Sequence, residues 1–290
     1  MNLSLNPTAE DSVNLVHATH LIQDYAKVTS FLKNSGFEIL ESIEISDGSN
    51  THCCQISLNG SYISLERKNN PDTQEFVDSA LTGFGLGTTD IESTQGRLTL
   101  HGFHPLSIEE RKLLFPLAKK GRREVACKVF KLKEGDVFEG EVEFIDVSNS
   151  TKSSTKSAHN NALSHFHAII LHTNKPEETI ARYCWLTDQS SPRRIFGSSW
   201  QIGLNQQKII VCSEEDVERI FPSVDVSNLP SILGYALLTE SLSKTKDCFS
   251  HNELVTQSLN QGSFLLKLPI SGNLIIGTSA ADFPWNGDFN

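Results

Sequence analysis

The chain has few of the features that mark a membrane, redox or zinc protein. Its six cysteines contain no CxxC pair, and an even count in a chain of 290 residues is not evidence for a disulfide framework. No apolar run is long enough to cross a bilayer. We therefore expect reduced cysteines and no membrane partner.

Targeting and nucleic-acid signals are also missing. The opening residues, MNLSLNPTAEDS, lack the basic stretch and the unbroken apolar core of a secretory signal. The formal net charge of −10 argues against a broad nucleic-acid surface, because such a surface needs lysine and arginine to neutralise phosphates. We expect a cytoplasmic protein with no nucleic-acid partner.

Motifs of two large enzyme classes are incomplete or absent. The stretch GFGLGTT resembles a nucleotide-binding loop, but Thr88 takes the place of the last glycine and no acidic residue follows a second strand. No GxSxG occurs, which argues against a hydrolase nucleophile elbow. We expect no nucleotide cofactor.

The chain does contain a globular composition and an internal repeat. Hydrophobic residues at 38% and a length of 290 residues favour two folded domains. The frame His-Ala-x-x-Leu-x-x-Asp/Asn occurs in HATHLIQD at 17–24 and again in HAIILHTN at 167–174, 150 residues later. Each copy predicts a strand followed by a helix, with Asp24 and Asn174 as N-caps and Pro176 in the first turn of the later helix.

Two further strand-then-helix units lie between and after these copies. Asp90 takes the cap position in GFGLGTTDIESTQGRL, and Thr239 or Glu240 takes it in ILGYALLTESLSK. The cap-to-cap distance is 66 residues in both halves, since 90 − 24 and 240 − 174 are equal. This spacing predicts a duplicated block that itself contains two similar units.

A polar stretch separates the two blocks. Residues 148–161, SNSTKSSTKSAHNN, cannot bury themselves and are typical of a linker. Segments such as SYISLE and VFEGEVEFI alternate with a period of two and predict strands. We therefore predict an N-terminal tail at 1–13, a first domain at 14–147, a linker at 148–161 and a second domain at 162–290.

A strand, a helix and about three strands, given twice per domain, resemble the vicinal oxygen chelate superfamily, to which glyoxalase I and the extradiol dioxygenases belong. More narrowly, the chain resembles glyoxalase-like proteins with two tandem domains. The resemblance covers roughly residues 14–290 and rests on VHATHLIQDYAKVTSFLKNSGFEI, NGSYISLE, GLGTTDIESTQGRL and AHNNAL. It implies an α+β fold of four βαβββ modules, whose mixed curved sheets form half-barrels around cavities that often hold a divalent metal.

The resemblance also implies which residues would bind that metal. A first-strand histidine of the family matches His17, with His167 as its counterpart in the second domain. The family's last-strand glutamate belongs to a phrase like Tyr-Leu-Glu-Leu, which here begins at Tyr62 and places Ser64 where the carboxylate is expected. Glu66 lies two residues further on and projects from the same face of the strand.

The second module of the first domain completes the set of candidates. Its first-strand position falls at Gly83, which offers no ligand, while its last strand offers Glu141 and Glu143. The resemblance thus implies one divalent ion held by His17, Glu66 and either Glu141 or Glu143. In the second domain His167 stands alone, so we expect that domain to be free of metal.

Two functions follow from the resemblance. In the first, a metal-dependent lyase, isomerase or dioxygenase-type enzyme holds two neighbouring oxygens of a small substrate on the ion, while Glu66 or Glu143 moves a proton. In the alternative, a metal-free protein of the sequestering or resistance type binds a small molecule. A third reading is a scaffold whose cavities are filled by side chains such as Trp185 or Trp200.

For either of the first two functions we expect a ligand cavity lined by the four residues His17, Tyr62, Ser64 and His167. We interpret His20, on the helix-facing side of its strand, as a core histidine. Nothing in the sequence specifies the ligand or whether two chains associate.

Overall fold

The computed structural model describes residues 13–46, 49–67, 80–117, 121–147, 159–221, 229–251, 254, 256–260, 262–268 and 272–286. Most of the predicted tail, residues 1–12, and most of the predicted linker, residues 148–158, lie outside the described residues. The domain boundaries themselves therefore stay a prediction.

The first half of the chain contains two βαβββ units in succession. Its elements are β1 (Asn14–Ile22), α1 (Tyr25–Asn34), β2 (Leu40–Ser46), β3 (Ser49–Leu58), β4 (Ser61–Arg67), β5 (Ala80–Thr88), α2 (Ile91–Leu100), β6 (Glu109–Leu117), β7 (Gly121–Lys131) and β8 (Glu141–Asp146). The strands form a closed barrel in the order β1-β4-β3-β2-β6-β7-β8-β5, with β5 returning to β1.

The second half repeats this order of elements, with one extra short helix. Its elements are β9 (Leu163–Thr173), α3 (Pro176–Thr187), β10 (Arg193–Phe196), β11 (Ser199–Leu204), β12 (Gln207–Ser213), α4 (Val217–Ile220), β13 (Ser231–Thr239), α5 (Leu242–Ser250), β14 (Thr256–Ser258), β15 (Ser263–Lys267) and β16 (Asn273–Gly277). Its sheet has the order β10-β11-β12-β9-β13-β16-β15-β14. The predicted α+β fold of two tandem domains and four modules is confirmed.

No helix among the residues that the structure describes is both long enough and apolar enough to span a membrane.

The helix caps confirm two predictions and correct two. Asp24 and Asp90 each accept a hydrogen bond from a first-turn amide, at 2.9 Å in both cases. The prediction of Asn174 is wrong, because Lys175 occupies the N-cap of α3 without a side-chain hydrogen bond. The prediction of Thr239 or Glu240 is also wrong, because Ser241 caps α5. Pro176 at the next position pre-sets the helical φ, so α3 begins without a capping side chain.

These corrected caps change the length of the repeat. The spacing of 66 survives, since 90 − 24 and 241 − 175 are equal, but the halves are offset by 175 − 24 = 151. The strand registers give the same number: His17 pairs with Gly85 in the first half, and Ala168 pairs with Ala236 in the second. The structural repeat is therefore one residue longer than the sequence frame.

One apolar core joins the two halves on the helix-bearing side of both sheets. In α1 the buried apolar residues are Val28 and Leu32, and α2 buries Ile91 and Leu98 at the spacing of one helical face. His20 is fully buried in this region, and its Nε2 lies 3.2 Å from the Tyr235 hydroxyl of the second half. The interpretation of His20 as a core residue fits this position.

Both halves also meet at their first strands, where each sheet contains a β-bulge. The register of β1 shifts between Leu15 and His17, and that of β9 shifts at the equivalent place. Bulges leave backbone groups outside the ladder, and these need other partners. The Gln207 side chain supplies them, accepting from Leu15 N at 2.7 Å and donating to the carbonyl oxygens of Leu15 and Phe166 at 3.0 and 3.2 Å.

A buried ion pair adds a charged link between the halves. Glu139, between β7 and β8, accepts from Arg182 Nη2 at 2.6 Å, from Thr179 Oγ1 at 3.1 Å and from the Tyr183 hydroxyl at 3.3 Å, all on α3. Its side chain is 1% exposed. Removing one partner of such a pair leaves the other charge buried and uncompensated.

We predict that Glu139→Ala lowers the free energy of unfolding by about 3–5 kcal/mol, because Arg182 loses its buried counter-ion. Urea unfolding followed by circular dichroism measures the change. The matched control is Glu178→Ala, which breaks the exposed pair with Lys175 and should cost at most about 1 kcal/mol. Equal effects of the two substitutions would contradict the prediction.

Candidate functional site

The bulge in β1 directs His17 into the barrel. A bulge places two consecutive residues on one face of a strand, and Val16 accordingly belongs to an apolar cluster inside the barrel while His17 is 3% exposed. With the offset of 151, His17 corresponds to Ala168 and Val16 to His167. The two histidines of the sequence frame are therefore one residue out of structural register, although the bulges point both toward the concave faces.

Room for the His17 ring depends on Gly85 of β5. A Cβ atom added at Gly85 would lie 2.2 Å from His17 Cε1 and 2.4 Å from Nδ1. Real Cβ atoms do not approach ring atoms this closely, so His17 in this rotamer requires glycine on the neighbouring strand. The equivalent pair in the second sheet is Ala168 and Ala236, neither of which carries a ring.

Glu143 of β8 lies next to His17 and is held by Arg111 of β6. His17 Nε2 is 3.2 Å from Glu143 Oε1. Arg111 donates two parallel hydrogen bonds to the same carboxylate, Nη1 to Oε1 at 2.8 Å and Nη2 to Oε2 at 2.7 Å. Bidentate guanidinium–carboxylate pairs are among the strongest hydrogen-bonded contacts in proteins, so this pair fixes the orientation of Glu143.

Burial sets the protonation of this group. It lowers the pKa of His17 from 6.5 to about 4, an effect that Glu143 opposes and that Arg111 and Lys131 reinforce. Burial alone would raise the pKa of Glu143, but the positive charges of a protonated His17, of Arg111 and of Lys131 outweigh it and hold that pKa below its usual value. At neutral pH the site thus contains a neutral imidazole, a carboxylate and a guanidinium.

Lys131 of β7 and two further carboxylates complete the site. Lys131 Nζ lies 2.9 Å from Glu141 Oε2. Burial lowers the pKa of Lys131, but Glu141, Glu143 and Glu66 together outweigh burial and raise it. Ser64 Oγ donates to Glu66 Oε1 at 3.4 Å.

These side chains surround a cavity of about 200 Å³ at one end of the barrel. Its walls are formed by His17, Thr19, Leu21, Glu66, Thr82, Gly83, Phe84, Arg111, Lys131, Glu141 and Glu143. Apolar side chains fill the neighbouring part of the interior, where Val16, Val129 and Ile145 pack together. Tyr62 stacks on the His17 ring at 4.9 Å and also packs against that apolar part.

Most of the predicted site residues of the first domain come together here. His17, Glu66, Glu141 and Glu143 all line the cavity, with Glu143 rather than Glu141 beside the imidazole. Tyr62 and Ser64 contact lining residues without lining the cavity themselves.

Sequence reasoning missed both basic residues of the site, Arg111 and Lys131. A usable signal existed for Lys131, since it alternates with Val129 and Cys127 on one face of its strand. Arg111 offered none, because its strand is rich in charges and only the barrel closure shows which of them face inward.

The residues present do not fit a divalent metal. Both oxygens of Glu143 are already bound by Arg111, and Glu141 is paired with Lys131. A catalytic ion of this type needs about three protein ligands and keeps a further position open for water or substrate. Among the described residues no group of three or more His, Cys, Asp or Glu side chains is arranged to hold an ion.

The concave face of the second sheet is covered by the chain itself. His167 is 1% exposed, and its ring stacks on Phe283 at 4.6 Å. Burial, and then the neighbouring Lys208, lower the pKa of His167 from 6.5 to about 4. The predicted filling residues Trp185 and Trp200 are absent from the buried apolar cluster on this face, and Trp185 is 54% exposed. The aromatic rings of that cluster are those of Phe196, Phe221, Phe283 and Trp285, and the last two stack with His167.

Solved structures are similar to the chain, although no family model and no curated protein matches it. A hypothetical protein from Staphylococcus aureus has a TM-score of 0.63 at 11% identity, over 91% of this chain and 98% of its own. The Mn(II)-bound glyoxalase from Novosphingobium aromaticivorans has a TM-score of 0.59 at 10% identity, over 94% of this chain and 84% of its own. The chain has the vicinal oxygen chelate fold in two tandem copies.

A mutant of 4-hydroxymandelate synthase from Streptomyces coelicolor is a further neighbour, with a TM-score of 0.54 at 10% identity over 93% of this chain and 94% of its own. At such identities the likeness concerns the fold, and the chemistry has to be argued from the residues of this chain.

Within the vicinal oxygen chelate fold, strand pairing shows which ligand positions are filled. Thr19 and Gly85 are equivalent, since 85 − 19 = 66, and they pair with Ser64 and Glu143 respectively. Glu143 therefore stands in the second module where Ser64 stands in the first. Of the four positions implied by the family resemblance, His17 and Glu143 carry a ligand type, whereas Gly83 and Ser64 do not.

We predict that Gly85→Ala lowers the free energy of unfolding by about 1–3 kcal/mol, because the new methyl group overlaps the His17 ring. Removing the ring should remove most of this cost, so the double variant His17→Ala/Gly85→Ala should show strong coupling in a double-mutant cycle. The control is Gly203→Ala, at a strand glycine with no atom within 4 Å of the added Cβ. Additive effects of the two site substitutions would refute the overlap.

The lowered pKa of His17 predicts an acid-sensitive stability. Between pH 6.5 and about 4 the unfolded chain binds a proton at this ring while the folded chain does not, so the free energy of unfolding falls as the pH falls through this window. His17→Gln should make that decline shallower. Urea unfolding at several pH values measures it, with exposed His251→Gln as the control; an unchanged slope in His17→Gln would count against a buried neutral imidazole.

Proposed function

We propose that the protein binds a small polar organic molecule in the cavity of the first barrel and does so without a divalent metal. The observation that carries the proposal is the Arg111–Glu143 pair, in which the protein's own cation occupies the carboxylate nearest to His17. The role that we propose for such binding is the metal-independent sequestering or resistance type. That the protein is cytoplasmic stays a prediction from its sequence.

The size and lining of the cavity support a ligand smaller than a typical drug. Its volume of about 200 Å³ lies below the ~300–1,000 Å³ of drug-sized sites. Glu66 and Lys131 present an acceptor and a donor, and Phe84 and Leu21 add apolar surface. Such a lining suits a compact molecule that has both hydrogen-bonding groups and an apolar part.

Some residues of the site position the His17 ring, and others contact the ligand directly. Arg111 fixes Glu143, and the Glu143 carboxylate in turn lies 3.2 Å from Nε2 of the neutral His17 ring. This orders the imidazole before a ligand arrives, so little side-chain entropy is lost on binding. Lys131 and Glu66 stand nearer the opening and meet the ligand's polar groups.

A metal-dependent lyase, isomerase or dioxygenase-type activity is the second candidate. It is favoured by the likeness to a Mn(II)-bound glyoxalase and by the short distance between His17 and Glu143. In that case His17, Glu143 and Glu66 would hold the ion, and Arg111 would first have to leave Glu143.

Metal content separates the two candidates. We expect protein purified without chelator and exposed in turn to manganese, iron, nickel and zinc to retain far less than one ion per chain by elemental mass spectrometry. Arg111→Ala should increase retention, because it releases both oxygens of Glu143. One ion per wild-type chain that disappears in His17→Ala would instead establish the metal-dependent reading.

Ligand binding is tested by thermal shift with a library of small polar metabolites. We expect at least one compound to raise the Tm of the wild-type protein, since a ligand that binds only the folded state stabilises it by mass action. Lys131→Met should abolish that shift, while Lys175→Met, at the exposed N-cap of α3, should retain it. A library without effect, or a shift insensitive to Lys131→Met, would argue against binding in this cavity.

A further inference from the structure

A stack of three aromatic rings closes the concave face of the second sheet. The rings of His167 and Phe283 are 4.6 Å apart with an angle of 12° between their planes, and those of Phe283 and Trp285 are 5.1 Å apart at 3°. Phe283 and Trp285 lie in the segment 279–286, which follows the last strand and crosses the sheet. Stacked planes at these distances are what a bound aromatic ligand would form with His167.

The segment is held by the burial of Phe283 and Trp285, which are 1% and 2% exposed, and by polar contacts at its start. Asp282 accepts from Ser279 N at 2.7 Å and from Thr278 Oγ1 at 2.6 Å, and Ser279 returns a capping-box contact. The Asp282 side chain is partly exposed, and charge-assisted bonds near water contribute modestly. The polar attachment is therefore the weaker part, and a ligand that opens the segment has to replace the buried rings of Phe283 and Trp285 with an aromatic surface of its own.

Two polar groups, one in the segment and one on the sheet that it covers, are poorly matched in the closed arrangement. The Trp285 indole Nε1 is buried, with Trp285 2% exposed, and has no hydrogen-bond partner among the described residues. Burying a donor without an acceptor is unfavourable. Lys208 Nζ donates to Gln201 Oε1 at 3.1 Å and to Asn286 Oδ1 at 2.5 Å, and both acceptors are neutral.

We propose that residues 279–286 act as a built-in lid on a second binding site, where a planar aromatic molecule with an anionic group displaces Phe283 and Trp285. The aromatic part of that ligand stacks on His167, and its anionic group replaces Asn286 at Lys208. The exchange relieves the unmatched indole and gives the half-buried Lys208 ammonium a charged partner. This site is separate from the cavity of the first barrel and does not depend on the function proposed for it.

The first test uses the wild-type chain with indole-3-acetate, an indole ring with a carboxylate, and 3-methylindole, its neutral counterpart. Hydrogen–deuterium exchange should show faster exchange of the amides of 280–286 on addition of indole-3-acetate, with β9 and β13 unchanged. Unchanged protection of 280–286 at saturating probe would overturn the proposal.

The second test weakens the lid within the full chain. A lid that competes with the ligand reduces its apparent affinity by the fraction of closed molecules, so Trp285→Ala should bind indole-3-acetate at least about 10-fold more tightly than the wild type. The same variant should prefer it over 3-methylindole, and adding Lys208→Met should remove that preference. The control Trp185→Ala, at an exposed tryptophan, should bind like the wild type.

A further variant covers the case in which Trp285→Ala fails to fold. Asp282→Asn weakens the attachment of the lid and leaves His167 and Lys208 unchanged. It should therefore also raise the affinity for indole-3-acetate. Equal affinity for the two probes in the lid variants, or no gain over the wild type in either of them, would show that 279–286 is a fixed part of the core.

Discussion

The rest of the structure depends on the paired bulges in β1 and β9. Each bulge turns an extra residue toward a concave face and leaves backbone groups that the ladder cannot satisfy. Gln207 satisfies groups of both bulges at once, through Leu15 and Phe166. The bulges that turn the imidazoles toward the concave faces therefore also connect the two halves. A substitution at a bulge would affect both the sites and the contact between the halves.

Next to the bulges, three neighbouring residues differ together between the two halves. Where the first barrel has His17, Gly85 and Glu143, the second sheet has Ala168, Ala236 and Ile275 at the corresponding places. The first set needs glycine for the ring and a guanidinium for the carboxylate, whereas the second is apolar and accepts aromatic side chains. Replacement of one member alone would leave an unpaired charge or an overlap, which explains why each half carries a complete set.

The sequence predicts the fold well because its signals are local. Asp24 and Asp90 cap helices by bonds within one turn, and period-two segments become strands without knowledge of their neighbours. The predictions fail where a distant contact decides. Lys175 replaced Asn174 as a cap because Pro176 already fixes the helix start. Arg111 was missed because only closure of the barrel brings it to Glu143.

The two sheets also differ at their borders. The first closes on itself, while the second ends at β10 and β14, which are four and three residues long in the described part of the chain. An open border displays unpaired peptide groups that can recruit a foreign strand and seed aggregates, and brevity is one way in which natural proteins limit this hazard. Arg193 and Arg194 on β10 add like charges that repel a second copy. A longer β10, or one without its arginines, would therefore pair more readily with a strand of a second copy and promote aggregation.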